Sequence, residues 1–247
     1  EMQWSLVGSE MCIRDSAKQA DVIITSSGRV LEDGHRGFVE WLAHHGLEGS
    51  VVENRPLPPF ADEMKPPENE WTVGYIGRVR DIRSFELLVE AVKTIPAFER
   101  PKLRVAGDGT AAAKVRTLLM SEVEAGTIEA EVSGAFSQSE LPELLQRVDV
   151  MYAMYSPQRG NVLQGALPVK VFDAASSGVP SVVNAGCLMA DVVVSENIGA
   201  HAPWGDAESV GQTLRSLRDT VAELAATGER EHQRWLSAMN PVLEVLQ

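Results

Sequence analysis

GALPVKVFDAASSGVPSVV, residues 165–183, places Lys170 and Asp173 three residues apart at the start of an apparent helix. Gly178-Val179-Pro180 then closes that helix ahead of a β-branched strand. A carboxylate accepts two hydrogen bonds at once from a vicinal diol, which is how an acidic residue reads a ribose. A lysine beside it is a point charge for phosphate, and the helix N-terminus adds unpaired N–H groups. The same two residues would also suit an exposed i,i+3 ion pair contributing only about 0.2–0.5 kcal/mol. Taken alone, the stretch leaves both readings open. Its helix–glycine–strand punctuation is informative about the fold.

That punctuation repeats along the chain. Strands are expected at WTVGYIG (71–77), LRVAG (103–107), IEAEVSG (128–134), VDVMYAM (148–154) and PSVVN (180–184), with a weaker one at VVV (192–194). Between them lie helical patterns: 83–95 carries Phe85, Leu88, Val89 and Val92 on one face with Pro96 beyond as a stop, and 111–120 follows. Ser137 and Glu140 form a capping box ahead of ELPELLQRV. Helices are expected over 208–226 and over 231–245, the latter interrupted at Pro241. Strands alternating with helices predict an α/β, Rossmann-like parallel sheet with helices on both faces, binding ligands beyond the C-terminal ends of its strands.

Upstream, DVIITSS (21–27) reads as a buried strand, 29–45 as a helix with Phe38, Trp41 and Leu42 on one face, and VVEN (51–54) as a strand. RPLPPFADEMKPPENE (55–70) is rich in proline and acid, as a linker is. MCIRDS (11–16) resembles the translation of a transposase sequencing adapter, so residues 1–16 are set apart as an adapter-derived or unassigned segment.

A chain of 247 residues accommodates one sizeable domain plus an appendage, or two small domains. Its net charge of -13 argues against a nucleic-acid partner, which would meet a concentrated basic face. A few arginines and helix N-termini still suffice for an anionic small molecule. No apolar run approaches the roughly 18 residues a membrane helix needs. Cys12 and Cys187 make no disulfide framework, so a reducing, cytoplasmic location is expected. The five histidines share no metal-ligand spacing, so no metal is expected.

Gly77-Arg78 follows the first strand of the main domain, with Arg80 and Arg83 close behind. A glycine there lets backbone approach a ligand and the arginines suit a diphosphate, although a tight turn with solvated arginines fits equally well. Gly107-Asp108-Gly109-Thr110 lacks the third glycine of a dinucleotide fingerprint; turn chemistry accounts for it, with cleft lining by Gly109 as the alternative. Tyr152, Met154 and Tyr155 suit strand packing, and Ser156 would face either the cleft or solvent. No G-x-S-x-G elbow is present, which removes the usual hydrolase cue.

Taken in order, VGYIGRVRDIRSFELLVEAV (73–92), LRVAGDGTAAAKVRTL (103–118), VSGAFSQSELPELLQRVDVMYAMYSP (132–157), LPVKVFDAASSGVPSVVNAG (167–186) and DVVVSENIGAHAPWGDAESVGQTL (191–214) resemble the nucleotide-sugar-binding half of the retaining, two-Rossmann-domain (GT-B) glycosyltransferases of group 1, or family 4. The resemblance covers roughly 71–220 and extends weakly over 17–54. It implies a UDP-sugar or GDP-sugar as donor, a glycan or small molecule as acceptor, no other cofactor, and peripheral membrane association of a full-length protein. It implies that Gly77, Arg78, Arg83, Gly109, Ser156, Lys170 and Asp173 serve the donor. Arg83 stands where the family usually has lysine, and Asp173 where the second glutamate of a paired motif holds the ribose.

Eight residues before Asp173, where the family's first glutamate would lie, stands Gly165. Asn161, Pro168 and Lys170 match a subgroup that also lacks that glutamate. Residues 17–54 then correspond to the end of an acceptor domain whose remainder is missing, 55–70 to the interdomain linker, and 71–226 to the donor domain. Residues 227–247 correspond to a terminal helix that returns to the first domain. Two alternatives remain open. One is a sugar-nucleotide epimerase or phosphorylase of the same architecture; the other is a non-catalytic sugar-nucleotide or protein-interaction module.

Overall fold

In a computed structural model of the chain, the described residues are 15–31, 34–56, 71–158, 165–222 and 228–246. The first segment is small. Strands β1 (Ile24–Thr25) and β4 (Ser50–Val51) pair in parallel, and β2 (Arg29–Leu31) and β3 (Gly34–Arg36) form an antiparallel pair between them in sequence. The helix expected over 29–45 is confined to α1 (Phe38–His44). Gly28 and Gly37 both take positive φ, which ends the helical path on either side of the β2–β3 pair.

The main sheet has six parallel strands: β5 (Thr72–Ile76), β6 (Lys102–Ala106), β7 (Glu129–Val132), β8 (Val150–Ala153), β9 (Ser181–Asn184) and β10 (Gly199–Ala202). Their spatial order is β10-β9-β8-β5-β6-β7. The chain therefore builds outward from β5 to β7, returns beside β5 as β8, and builds outward again to β10. The reversal leaves a crevice above the C-terminal ends of β5 and β8, the switch point of a doubly wound sheet. β5, β8 and β9 are buried along their whole length, as expected for strands covered on both faces.

Helices α2 (Ile82–Thr94), α3 (Ala112–Glu124) and α7 (Ala207–Leu217) cover one face, with Phe85, Leu88, Val115, Leu119, Val210 and Leu214 in a single core with Val73, Leu103 and Val150. Helices α4 (Leu141–Gln146), α5 (Val169–Ser176) and α6 (Leu188–Ser195) cover the other. The capping box is present: the Ser137 N–H and hydroxyl donate to Glu140 at 2.7 and 2.6 Å, ahead of α4. At the end of α5, Gly178 takes φ 75° and the Val179 N–H donates to the Ala174 carbonyl at 2.9 Å, a Schellman closure.

Two sequence expectations are corrected here. Val192–Val194 is not a strand but the end of α6, because Leu188, Met189, Val192 and Val193 form one buried helical face. Asn197, at φ 53°, closes that helix, with the Ile198 N–H donating to the Val193 carbonyl at 2.9 Å; the sixth strand is Gly199–Ala202. The helix expected to reach 226 stops at Leu217, since Ala222 is buried and its N–H donates to the Gly178 carbonyl at 2.9 Å, drawing the chain across to α5. Residues 223–227 lie outside the described residues, as do 1–14 and most of the proline-rich stretch, 57–70.

The last helix, α8 (Gly228–Val245), runs through Pro241 without a break and contacts β4. Pro241 is exposed, so the one carbonyl left without its N–H partner can be hydrated. Where the chain leaves β4, the side chain of Arg55 is buried. Its guanidinium donates to both carboxylate oxygens of Glu196 at 2.7 Å, to Glu53 at 2.7 Å, and lies 4.2 Å from the Phe172 ring centroid. Glu196 also meets Arg234 of α8 at 3.5 Å. Burial alone would lower the Arg55 pKa; the hydrogen bonds and charges of Glu196 and Glu53 outweigh it and raise it.

Candidate functional site

The crevice at the switch point is an open cleft of about 480 Å³. One wall is apolar, from Ile76 at the end of β5, Met151 of β8, Leu141 and Leu145 of α4, and Phe136 on the loop before it. The other carries Gly77, Arg78 and Arg80 from the loop after β5, and Lys170 and Asp173 from the first turns of α5. A cleft lined by apolar side chains together with two arginines, a lysine and a carboxylate suits a ligand with an aromatic part, hydroxyls and a polyanionic end.

Each polar group is set by its element. Arg78 is exposed and pairs with Asp108 at 2.8 Å. A surface pair of this kind contributes about 0–1 kcal/mol, so a phosphate can displace Asp108 at little cost. Lys170 starts on the face of α5, yet its Nζ sits 3.5 Å from the centroid of the Tyr75 ring, on the side of the sheet covered by α2. It passes the end of β5 beside Gly77, where a Cβ would stand 3.3 Å from Lys170 Cε and 3.4 Å from Nζ. Asp173 is half-buried, and burial pushes its carboxyl up to about 6.

The loops after β5 and β6 are joined backbone to backbone. Gly77 N–H donates to the Ala106 carbonyl at 2.9 Å, Val79 N–H to the Asp108 carbonyl at 2.7 Å, and Ala111 N–H to the Val79 carbonyl at 3.1 Å. Gly107, at φ 144°, lies so close that a Cβ there would stand 1.9 Å from the Gly77 carbonyl oxygen. Gly109 likewise meets the Val79 carbonyl, so this glycine pair serves loop packing and Gly109 does not line the cleft.

Of the residues singled out in the sequence, Gly77, Arg78, Lys170 and Asp173 come together in the cleft, while Arg83, Gly109 and Ser156 stand outside its lining. Arg83 is in the first turn of α2, where its guanidinium donates to Asp81 at 3.4 Å and to Gln158. Ser156 is buried, its hydroxyl accepting from the Gln158 N–H at 3.4 Å. Tyr155, expected in strand packing, lines the cleft. Its backbone N–H and carbonyl are held by the Asn184 amide at 2.8 and 2.9 Å. Phe136 and Gln138 were not singled out, because a loop aromatic and a polar first-turn residue have no distinguishing spacing. Gly165 is buried at φ 94°, and a Cβ there would stand 2.3 Å from the Gly37 Cα.

Among the described residues, no group of three or more His, Cys, Asp or Glu side chains could hold a metal ion, and no helix is long and apolar enough to cross a membrane.

The family model for glycosyl transferases group 1 matches residues 60–233. No curated protein sequence matches the chain. Among solved structures, HepE of Anabaena in complex with UDP and glucose superposes with a TM-score of 0.66 at 14% identity, over 96% of this chain and 66% of that one. The lipopolysaccharide outer core galactosyltransferase WaaB, apo form, gives 0.64 at 14% identity, over 92% and 63%. A mutant of TarM from S. aureus, in complex with Fondaparinux, alpha-GlcNAc-glycerol and UDP, gives 0.62 at 14% identity, over 96% and 46%. The chain thus spans between 46% and 66% of the length of these three proteins. The six-stranded parallel sheet with its helical layers is the Rossmann-like architecture of GT-B enzymes, and with the family model matching most of its length the chain belongs to the group 1 glycosyl transferases.

Proposed function

We propose that this chain is the donor-binding part of a retaining glycosyltransferase that takes its sugar from a UDP- or GDP-sugar. The observation that carries this reading is the convergence of Gly77, Arg78, Lys170 and Asp173 on one cleft at the switch point of the sheet. Arg78 and Lys170 take the diphosphate, with Arg83 in reserve at the start of α2, and the Asp173 carboxylate accepts from the ribose hydroxyls. Transfer leaves a nucleoside diphosphate, and fixed positive groups at that leaving group lower the barrier. UDP in the HepE and TarM complexes is consistent with a uridine donor. Residues 17–54 belong to an acceptor domain, 55–70 to the linker and 71–226 to the donor domain. Gly165, buried against Gly37, offers no sugar-side carboxylate, so the cleft is better suited to holding the nucleotide than to attacking the sugar.

Calorimetric titration with UDP, GDP and ADP tests this. Removing a charge-assisted hydrogen bond costs about 1.5–3 kcal/mol, so Arg78→Ala and Asp173→Ala should each weaken the preferred nucleotide roughly tenfold or more. Equal, weak binding by the wild type and both variants would remove the site.

Asp173 also predicts a pH dependence. Burial raises its carboxyl from 3.8 to about 6. A raised folded-state value means the fold is most stable below the ordinary value and loses that contribution as pH climbs toward 6. Asp173→Asn is therefore expected to be more stable than wild type at neutral pH but not near pH 4. Ribose binding needs the ionised form, so affinity for UDP-glucose should fall as pH drops through about 6, and the Asn variant should abolish that fall. The diphosphate diester keeps its charge across this range, which leaves the protein as the titrating partner. An unchanged pH profile in the variant would exclude Asp173 as the group responsible.

A further inference from the structure

We infer that Tyr75 is a positioning residue for the diphosphate end of the cleft, holding Arg78 and Lys170 in register with one side chain. The inference rests on the nucleotide reading above. Tyr75 is the penultimate residue of β5, 3% exposed, and outside the cleft lining. Its ring is engaged on three sides. Phe85 of α2 packs against it with centroids 4.6 Å apart and planes tilted by 56°. Its hydroxyl donates to the Arg78 carbonyl at 2.7 Å. Its face carries Lys170 Nζ at 3.5 Å, with the Tyr155 ring centroid a further neighbour at 5.5 Å.

These contacts divide the work in a chemically specific way. An ammonium over an aromatic face is attracted to the ring quadrupole, more strongly once desolvated. The Lys170 Nζ is buried. A ring holds the ammonium without contributing a counter-charge, whereas a carboxylate at the same place would neutralise the cation that a phosphate has to meet. The phenol, by donating to the Arg78 carbonyl, fixes the backbone from which that guanidinium extends and makes the ring face more electron-rich. Phe85 removes the ring's freedom to turn. One buried tyrosine thus sets both the height of the lysine and the root of the arginine, and Gly77 between them keeps the passage for Lys170 open.

The test uses the whole chain, with UDP and uridine as paired probes. Tyr75→Phe keeps the ring on Phe85 and removes only the hydroxyl bond; a net hydrogen bond of this kind corresponds to roughly a three- to tenfold loss of UDP affinity, with uridine unchanged. Tyr75→Leu removes the ring as well and should weaken UDP by more than about tenfold while raising the rate at which acetic anhydride modifies Lys170, read by peptide mass spectrometry. A tyrosine with a merely structural role would lower UDP and uridine affinity by the same factor, and that result would overturn the inference. If Tyr75→Leu loses its cooperative unfolding transition, the UDP-to-uridine ratio of Tyr75→Phe decides alone. If the wild type binds none of UDP, GDP or ADP, the nucleotide reading fails; Lys170 labelling then decides the hold of Tyr75, with equal rates in wild type and a folded Tyr75→Leu overturning it.

Discussion

Gly107→Ala is expected to destabilise the chain by about 2–6 kcal/mol and to abolish UDP binding. The strain of a side chain at positive φ costs about 1–3 kcal/mol. Forcing a methyl into filled space adds about 1–3 kcal/mol more. Here the obstacle is the Gly77 carbonyl, 1.9 Å from the new Cβ, and backbone cannot rotate away as a side chain would. Any displacement passes to the Gly77 peptide, which lies between Arg78 and the Lys170 ammonium, so stability and affinity should fall together. Gly126→Ala is the control, since it also has positive φ (67°) but meets nothing within 4 Å. Urea denaturation of the two variants should separate them widely; similar midpoints would show that the two loops are not as closely joined as described.

Glu196→Ala is expected to cost about 3–5 kcal/mol, the usual penalty for removing one partner from a buried ion pair. It takes from the Arg55 guanidinium, with a side chain only 4% exposed, both hydrogen bonds to Glu196 and keeps the one to Glu53. The paired replacement Arg55→Met with Glu196→Leu should recover part of that loss, because methionine can keep the packing over Phe172 and the Arg55 and Glu196 charges leave together, while Glu53, 7% exposed, gives up its Arg55 contact. Phe172 precedes Asp173 on α5, so the single variant should also loosen the ribose end of the cleft, whereas the double variant should restore it. Chemical denaturation of wild type, both single variants and the double variant measures the coupling. Additive losses would show that Arg55 and Glu196 act independently.

The sheet was largely legible in the sequence because its signals are local. Val73, Leu103, Val150 and Val182 sit in short stretches rich in β-branched and apolar residues, and Pro96 and Gly178 mark helix ends by their own backbone chemistry. Val192–Val194 misled because three β-branched residues say strand, while the burial of Leu188 and Met189 one turn earlier decides for helix. That depends on tertiary packing, which a tripeptide does not encode. In the site, Lys170 and Asp173 could be found because they share one helix turn. Tyr75 could not: its partners Phe85, Arg78 and Lys170 converge only after the strand, the loop and α5 are assembled. Gly109 resembled a ligand glycine since close approach to another loop demands the same residue as close approach to a phosphate.

Gly165 and Gly37 constrain each other's replacement. A glutamate, or any other side chain, at 165 would set its Cβ 2.3 Å from the Gly37 Cα. The backbone near Gly37 would have to move first, and Gly37 itself is hemmed in by Leu188 and Gly28. Substitution at 165 therefore waits on a change near 37: the order in which the two positions change, more than the number of changes, governs whether any side chain fits there.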